Sequence, residues 1–372
     1  MIRGALCSPQ GLRQSWARFI GAGLALLLLS SSCSVASVAT DCPADKAQPL
    51  IRGSSTEVYL SMGQEQIRAV VAIRSAALGP ELCSGVFVAA NWVLTAAHCL
   101  QIAQPVVQIG VSASAATLPV LSSAIHSSLD LALLEVEAHA ISPQIAAIAL
   151  PTSNAPVPLQ AGSAVELAGY GLTETKSLGQ LRFLVEQVTR IGASSIWIDG
   201  SGQNGACVGD SGGPLLTRRA DGAVCVVGIL AFGSDSCTNE DSYVALGPAS
   251  AWVQSITGSS EAPYKSCGAL TAEGRCFDST AVWCESGQAV AASCSDDVGC
   301  GWDPQALGFR CVTPNSDPCS GVDSFGRCNG SNAMRCLSGS LTAVDCAPCS
   351  ACRLDAKTGE AICAAAANVT TR

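Results

Sequence analysis

Between residues 51 and 257 the chain is built from short apolar runs, such as Ala69-Val70-Val71-Ala72-Ile73 and Val86-Phe87-Val88, punctuated by Gly, Ser, Asn and Pro. Short runs of this kind, rich in β-branched residues and bounded by turn residues, predict many short strands and an all-β sandwich or barrel. A sustained helical period emerges only at residues 249–256. The Pro-rich segment 151–158 divides the region into two similar halves and predicts a connection between two β units.

From Gly258 the pattern changes. Val, Ile and Leu runs nearly vanish, and 13 of the 21 cysteines lie beyond this point. Cys267, Cys276, Cys284, Cys294, Cys300 and Cys311 recur with a constant offset of 52 as Cys319, Cys328, Cys336, Cys346, Cys352 and Cys363. The flanks repeat too, GRCFDSTAVWCESG against GRCNGSNAMRCLSG. Two small disulfide-rich repeats are therefore expected, over 258–314 and 315–372. Modules this small bury too little apolar area to fold without staples, although sequence does not decide which cysteines pair.

Composition narrows the setting. With 48% hydrophobic and 13% charged residues, most of the chain is expected to fold. The net charge of -9 and the lack of any Lys/Arg cluster argue against nucleic acid as a partner. Twenty-one cysteines read as disulfides in an oxidising compartment. Arg3, Arg13 and Arg18 precede an apolar run from Phe19 to Leu29, which predicts a signal peptide over 1–39 and is too short to span a bilayer comfortably. Two endings stay open. Ser37-Val38-Ala39 is a cleavage site for plain secretion, whereas Leu29-Ser30-Ser31-Ser32-Cys33 resembles a lipobox that would lipidate Cys33 and hold the protein at the cell envelope. A membrane is an expected partner only in the second case.

Three segments carry chemistry: NWVLTAAHC (91–99), DLALLEV (130–136) and CVGDSGGPLL (207–216). Singly, each has an ordinary reading as a core histidine, a capping aspartate and a glycine-rich turn. Together, in the order His98, Asp130, Ser211, they resemble the chymotrypsin/trypsin family of serine proteases over roughly residues 51 to 257. Other hydrolases carry the same three groups in other orders. The resemblance implies two antiparallel six-stranded β-barrels with the active site in the cleft between them. It also implies hydrolysis of a protein or peptide substrate through an acyl-enzyme, with neither metal nor other cofactor. A serine hydroxyl is a poor nucleophile at neutral pH and needs a base, and imidazole titrates near the working pH. Ser211 is thus the expected nucleophile, His98 the base, and Asp130, expected to be buried, the group that orients the imidazole. The resemblance assigns the oxyanion donors to the backbone N–H groups of Gly209 and Ser211. His126 and His139 are expected at the surface.

Further matches extend the resemblance. Ile51-Arg52-Gly53-Ser54 is similar to the family's activated N-terminus, which implies a zymogen with a propeptide at 40–50. Cleavage after Leu50 would free the Ile51 amine to pair with Asp210, and an activating protease becomes an expected partner. Leu50 departs from the usual Lys or Arg, so the activator is expected to differ. Gly169-Tyr170-Gly171 and the stretch 249–256 with Trp252 match the opening of the second barrel and the closing helix. Cys83 with Cys99 and Cys207 with Cys237 match two family disulfides. The pocket floor falls on Gly205 instead of an Asp, and its wall on Ala231-Phe232-Gly233. Asp241 offers an alternative negative charge for a Lys/Arg side chain, against which an apolar or mixed pocket stays open. The tail reads as a binding module or a stable spacer. Cys346-x-x-Cys349-x-x-Cys352 is read as disulfide chemistry, not as a metal site. Cys42, Cys225 and Cys349 are left over, and a bond from Cys42 to one of the others would tether the propeptide. A family member turned binding protein and a metal or redox protein are the rival classes.

Overall fold

The computed structural model describes residues 53–57, 59–76, 82–110, 115–137, 145–152, 157–258, 267, 270–277, 279–295, 297–346 and 350–365. The expected leader and propeptide, with Cys33, Cys42, Leu50 and Ile51, lie outside the described residues, as do His139 and Cys349.

Two closed antiparallel barrels of six strands each form the larger part of the fold. In the first, β1 (Val70–Ser75), β2 (Leu82–Ala89), β3 (Trp92–Thr95), β4 (Pro105–Ile109), β5 (Ala116–Ile125) and β6 (Ala132–Val136) close in the order β1-β2-β3-β6-β5-β4. In the second, β7 (Ala164–Gly169), β8 (Arg182–Ile191), β9 (Ser195–Asp199), β10 (Pro214–Arg218), β11 (Val224–Phe232) and β12 (Glu240–Ala245) close in the order β10-β11-β12-β9-β8-β7. Phe87, Leu94, Leu133 and Ile148 lie in the core that includes the first barrel, and Leu184, Ile198, Leu215 and Tyr243 fill the second. Strand β2 is buried on both faces, which explains why Val86-Phe87-Val88 reads as a continuous apolar run and not as an alternation. The barrels meet where Tyr170 donates its hydroxyl to the Val70 carbonyl at 3.1 Å. A one-turn helix α1 (Gln64–Ile67) precedes β1, which the apolar pattern does not foresee. Helix α2 (Leu246–Thr257) ends at Gly258, whose φ of +63° is the left-handed cap that terminates helices.

The tail forms two modules of the same plan. The first holds β13 (Arg275–Phe277), β14 (Thr280–Glu285) and β15 (Gln288–Ser293) as a meander, then the hairpin β16 (Gly299–Asp303) and β17 (Gly308–Val312). The second repeats this with β18 (Arg327–Asn329), β19 (Asn332–Leu337), β20 (Ser340–Asp345), β21 (Ser350–Leu354) and β22 (Ala361–Ala365). The pairing that sequence leaves open is resolved and identical in both: Cys267–Cys284, Cys276–Cys300 and Cys294–Cys311, then Cys319–Cys336, Cys328–Cys352 and Cys346–Cys363. Both modules pack on the barrels, so the tail is not a free spacer. Tyr59 meets Phe277 and Phe325 edge-on at 5.7 and 5.2 Å, and the Val185 N–H donates to the Ala356 carbonyl at 2.7 Å. Cys225 is a free thiol buried in the second barrel, so it does not serve as the tether to Cys42.

Candidate active site

Strand register brings His98 to Asp130. Thr95 at the end of β3 pairs with Ala132 at the start of β6, so the residues just after one strand and just before the other are neighbours. His98 lies in the 3-10 turn Ala97–Gln101. Its Nδ1 is 2.7 Å from Asp130 Oδ2, and its backbone N–H donates to Asp130 Oδ1 at 2.9 Å. One carboxylate thereby fixes both the ring and the chain that carries it. Asp130 is a third exposed instead of buried, because it sits in the turn before β6 at the barrel rim. His126 shapes that turn and is not a free surface residue. Its Nδ1 accepts the Ser128 and Leu129 N–H groups at 3.2 and 3.1 Å, and its ring meets Trp252 edge-on at 5.0 Å.

The Ser211 turn belongs to the second barrel but is pinned to the first. Ser84 on β2 is the pin: its N–H donates to the Ser211 carbonyl at 2.8 Å, and its hydroxyl donates to the Gly209 carbonyl at 2.9 Å while accepting the Tyr170 N–H at 2.9 Å. Cys83 beside Ser84 is bonded to Cys99 beside His98. Gly212 has φ +80°, and a Cβ there would collide with Thr95 Oγ1 and the Ser84 carbonyl. A glycine is required at 212 for the turn to sit directly on the strand that leads to His98. Sequence reasoning missed Ser84, because a buried serine in an apolar strand carries no motif.

Gly209 has φ +96°, and among the described residues neither its amide nor that of Ser211 has an internal acceptor. Two unpaired N–H groups one residue apart form a donor pair suited to an oxyanion. Between them, Asp210 points into the protein. Its Oδ1 accepts the Gly171 N–H at 2.7 Å and its Oδ2 the Cys207 N–H at 2.9 Å. Burial pushes its carboxyl up to about 7, against the lowering effect of those two bonds.

Two walls of chain meet beside the Cys207–Cys237 disulfide, one with Gly205 and the other with Ala231, Phe232 and Gly233, and Asp241 lies between them. Asp241, on β12, is 0% exposed. Its Oδ2 accepts the Ala206 N–H at 2.8 Å and its Oδ1 the Ser234 N–H at 3.2 Å, so the carboxylate ties the two walls together. A Cβ on Gly205 would lie 3.2 Å from Asp241 Oδ2, and one on Gly233 3.1 Å from Oδ1. Asp241 itself is closed off from solvent, with the two glycines packed against its carboxylate oxygens. Burial pushes its carboxyl up to about 6, again against its two backbone bonds. Phe232 is 63% exposed, an apolar side chain open to solvent. Cys83, His98 and Cys99 are close enough to hold a metal ion, but both sulfurs are spent in a disulfide and offer no thiolate.

A comparison with protein families matches the model described as Trypsin over residues 60–253. Granzyme M of Rattus norvegicus is 30% identical over 213 residues, covering 48% of this chain and 80% of that protein. Granzyme M of Homo sapiens is 31% identical over 218 residues, covering 49% and 82%. Coagulation factor XII of Cavia porcellus is 30% identical over 226 residues, covering 49% of this chain and 37% of its own length.

Proposed function

Because this chain belongs to the trypsin family of serine endopeptidases, we propose that His98, Asp130 and Ser211 form its catalytic unit. The observation that carries this reading is the pair of hydrogen bonds from His98 to one carboxylate, with the Ser211 turn locked by Ser84 to the adjoining strand pair. Ser211 Oγ attacks the peptide carbonyl as His98 Nε2 takes its proton. The Gly209 and Ser211 amides hold the negative oxygen, and Asp130 stabilises the imidazolium. His98 then passes the proton to the departing amine, which leaves an acyl-enzyme. Water hydrolyses that ester by the same route in reverse roles.

The same proposal includes export and activation. Residues 1–39 are the leader, 40–50 the propeptide, 51–257 the protease domain, and 258–314 and 315–372 the repeats. The eight disulfides among the described residues support an oxidising compartment. Cleavage after Leu50 by another protease would supply the Ile51 amine to Asp210. In support, Asp210 is buried and no cation pairs with it among the described residues. The substrate class is a peptide with a cationic side chain before the scissile bond, received by Asp241.

Ser211→Ala should lower turnover by about 10⁶-fold. A fluorophosphonate should label the processed wild type at Ser211 and leave the variant unlabelled. Residual activity within tenfold of wild type, or no labelling of the processed enzyme, would overturn the assignment.

A further inference from the structure

Glu186 is out of place by every rule of composition. It stands on β8 between Leu184 and Val188, facing the interior of the second barrel, and is 4% exposed. Neither carboxyl oxygen has a hydrogen-bond partner. Among the described residues no ion pair reaches it. A buried polar group left so incurs its full desolvation cost unless something arrives to meet it.

Its neighbourhood says what would arrive. Val188 on β8, Ile198 on β9 and Asp241 on β12 lie on one level of the sheet, through the pairs Val188↔Ile198 and Ile198↔Asp241. Glu186 lies two residues along from Val188 and therefore faces the same side as Asp241. On the intervening strand its level is occupied by Gly200, where a Cβ would lie 3.1 Å from Glu186 Oε1. Glycine at 200 and at 205 thus keeps side chains from coming between the two carboxyls. The backbones of β8 and β12 are two strand spacings apart, about 10 Å.

We propose that Glu186 is a specificity-determining residue of the primary pocket, a second buried acid behind Asp241 that gives up its proton to solvent when a cationic substrate side chain enters. The inference rests on the pocket reading above. The charged groups that act on Glu186 are Asp241 from β12 and the exposed Asp199 at the end of β9, with Tyr243 of β12 close by, and none is a cation. Burial first, then the Asp241 and Asp199 carboxylates, hold the Glu186 carboxyl well above the usual range. An incoming guanidinium reverses that balance, because its fork of donors can serve both acids, whereas an ammonium is a point charge. Arginine is therefore expected to exceed lysine before the scissile bond.

The test is benzamidine binding, an aromatic amidinium, measured from pH 5 to 9 on the processed enzyme and its Glu186→Gln, Glu186→Leu and Asp241→Asn variants. Fluorophosphonate labelling of Ser211 checks that each is folded. Wild type should keep gaining affinity to higher pH than the Glu186 variants, with proton release detected as buffer-dependent binding heat. Both Glu186 variants should level off near pH 7, bind about tenfold more weakly at pH 8, and lose that proton release. Identical profiles for wild type and both Glu186 variants would overturn the inference while leaving the pocket reading intact, provided Asp241→Asn abolishes binding. Unchanged binding by Asp241→Asn would instead overturn the pocket reading itself.

Discussion

The second barrel touches two groups of buried carboxyls, and they differ in whether the chain places cations beside them. At the face covered by the tail, Glu57 accepts the Ser61 and Met62 N–H groups at 2.9 and 2.8 Å, and Glu166 is buried beside it. Arg218 and Arg275 are buried in the same region. Arg218 donates to the Leu60 and Gly222 carbonyls. Arg275 comes from the first repeat and stacks over Phe277 and Phe325 at 5.0 and 4.5 Å; burial lowers its pKa, against the raising effect of Glu57, Tyr59, Asp323 and Glu166. At the other face, Asp210, Asp241 and Glu186 have no cation among the described residues. A buried charge without a partner is costly, so such groups persist where something else is gained. The group under the tail has buried arginines of the chain beside it, although neither Glu166 oxygen has a hydrogen-bond partner. Under the function proposed above, the group beside the nucleophile would receive its cations from outside, the freed amine of Ile51 and the side chain of the substrate.

The sharpest way to break this contrast is to remove a charge from each side. Arg275→Ala leaves buried carboxyls uncompensated and should destabilise the protein by about 3–5 kcal/mol in urea unfolding. Combining it with Glu166→Gln should recover part of that loss. Asp241→Asn should change stability far less, by about 1 kcal/mol at most, because it removes a buried acid that had no cation to lose. Equal losses from both substitutions would erase the distinction.

A smaller effect follows from pH. The carboxyls of Asp210 and Asp241 sit at about 7 and about 6 in the folded chain, above the ordinary aspartate value near ~4. The unfolded chain therefore sheds these protons first as pH rises. The unprocessed protein should lose stability from about pH 4 upward until the folded groups have ionised near pH 7. A bound cation opposes that loss. Benzamidine should raise the Tm of the processed enzyme more at pH 7.5 than at pH 5, where its affinity is about a tenth of the plateau. A Tm shift independent of pH would contradict the assignment of Asp241 to the cation.

Much of this was legible in the sequence, for physical reasons. Apolar runs such as 69–73 and 86–88 are short because strands are short, and both became barrel strands. The 52-residue offset marked two modules because six staples must recur at fixed places for a small fold to close. The motifs around His98, Asp130 and Ser211 were legible because each needs a fixed local backbone. What stayed hidden depends on distant partners. Ser84 gains its role only from a turn 127 positions later, at Ser211. The docking of the repeats rests on Tyr59, Phe277 and Phe325, three aromatics with no shared motif. Glu186 did leave a trace, as a charge at the inward position between Leu184 and Val188, but only the closed barrel reveals what it faces.

The most direct measurement is a carboxyl-carbon NMR titration of Asp210, Asp241 and Glu186, taken before processing and again on the processed enzyme saturated with benzamidine. Before processing, all three should titrate above the ordinary carboxylate range. Afterwards all three should be ionised throughout pH 5 to 8, with Asp210 responding to cleavage and the other two to the ligand. Carboxyls that titrate at the same pH in both states would show that no outside cation reaches them, and the account of this face would fail.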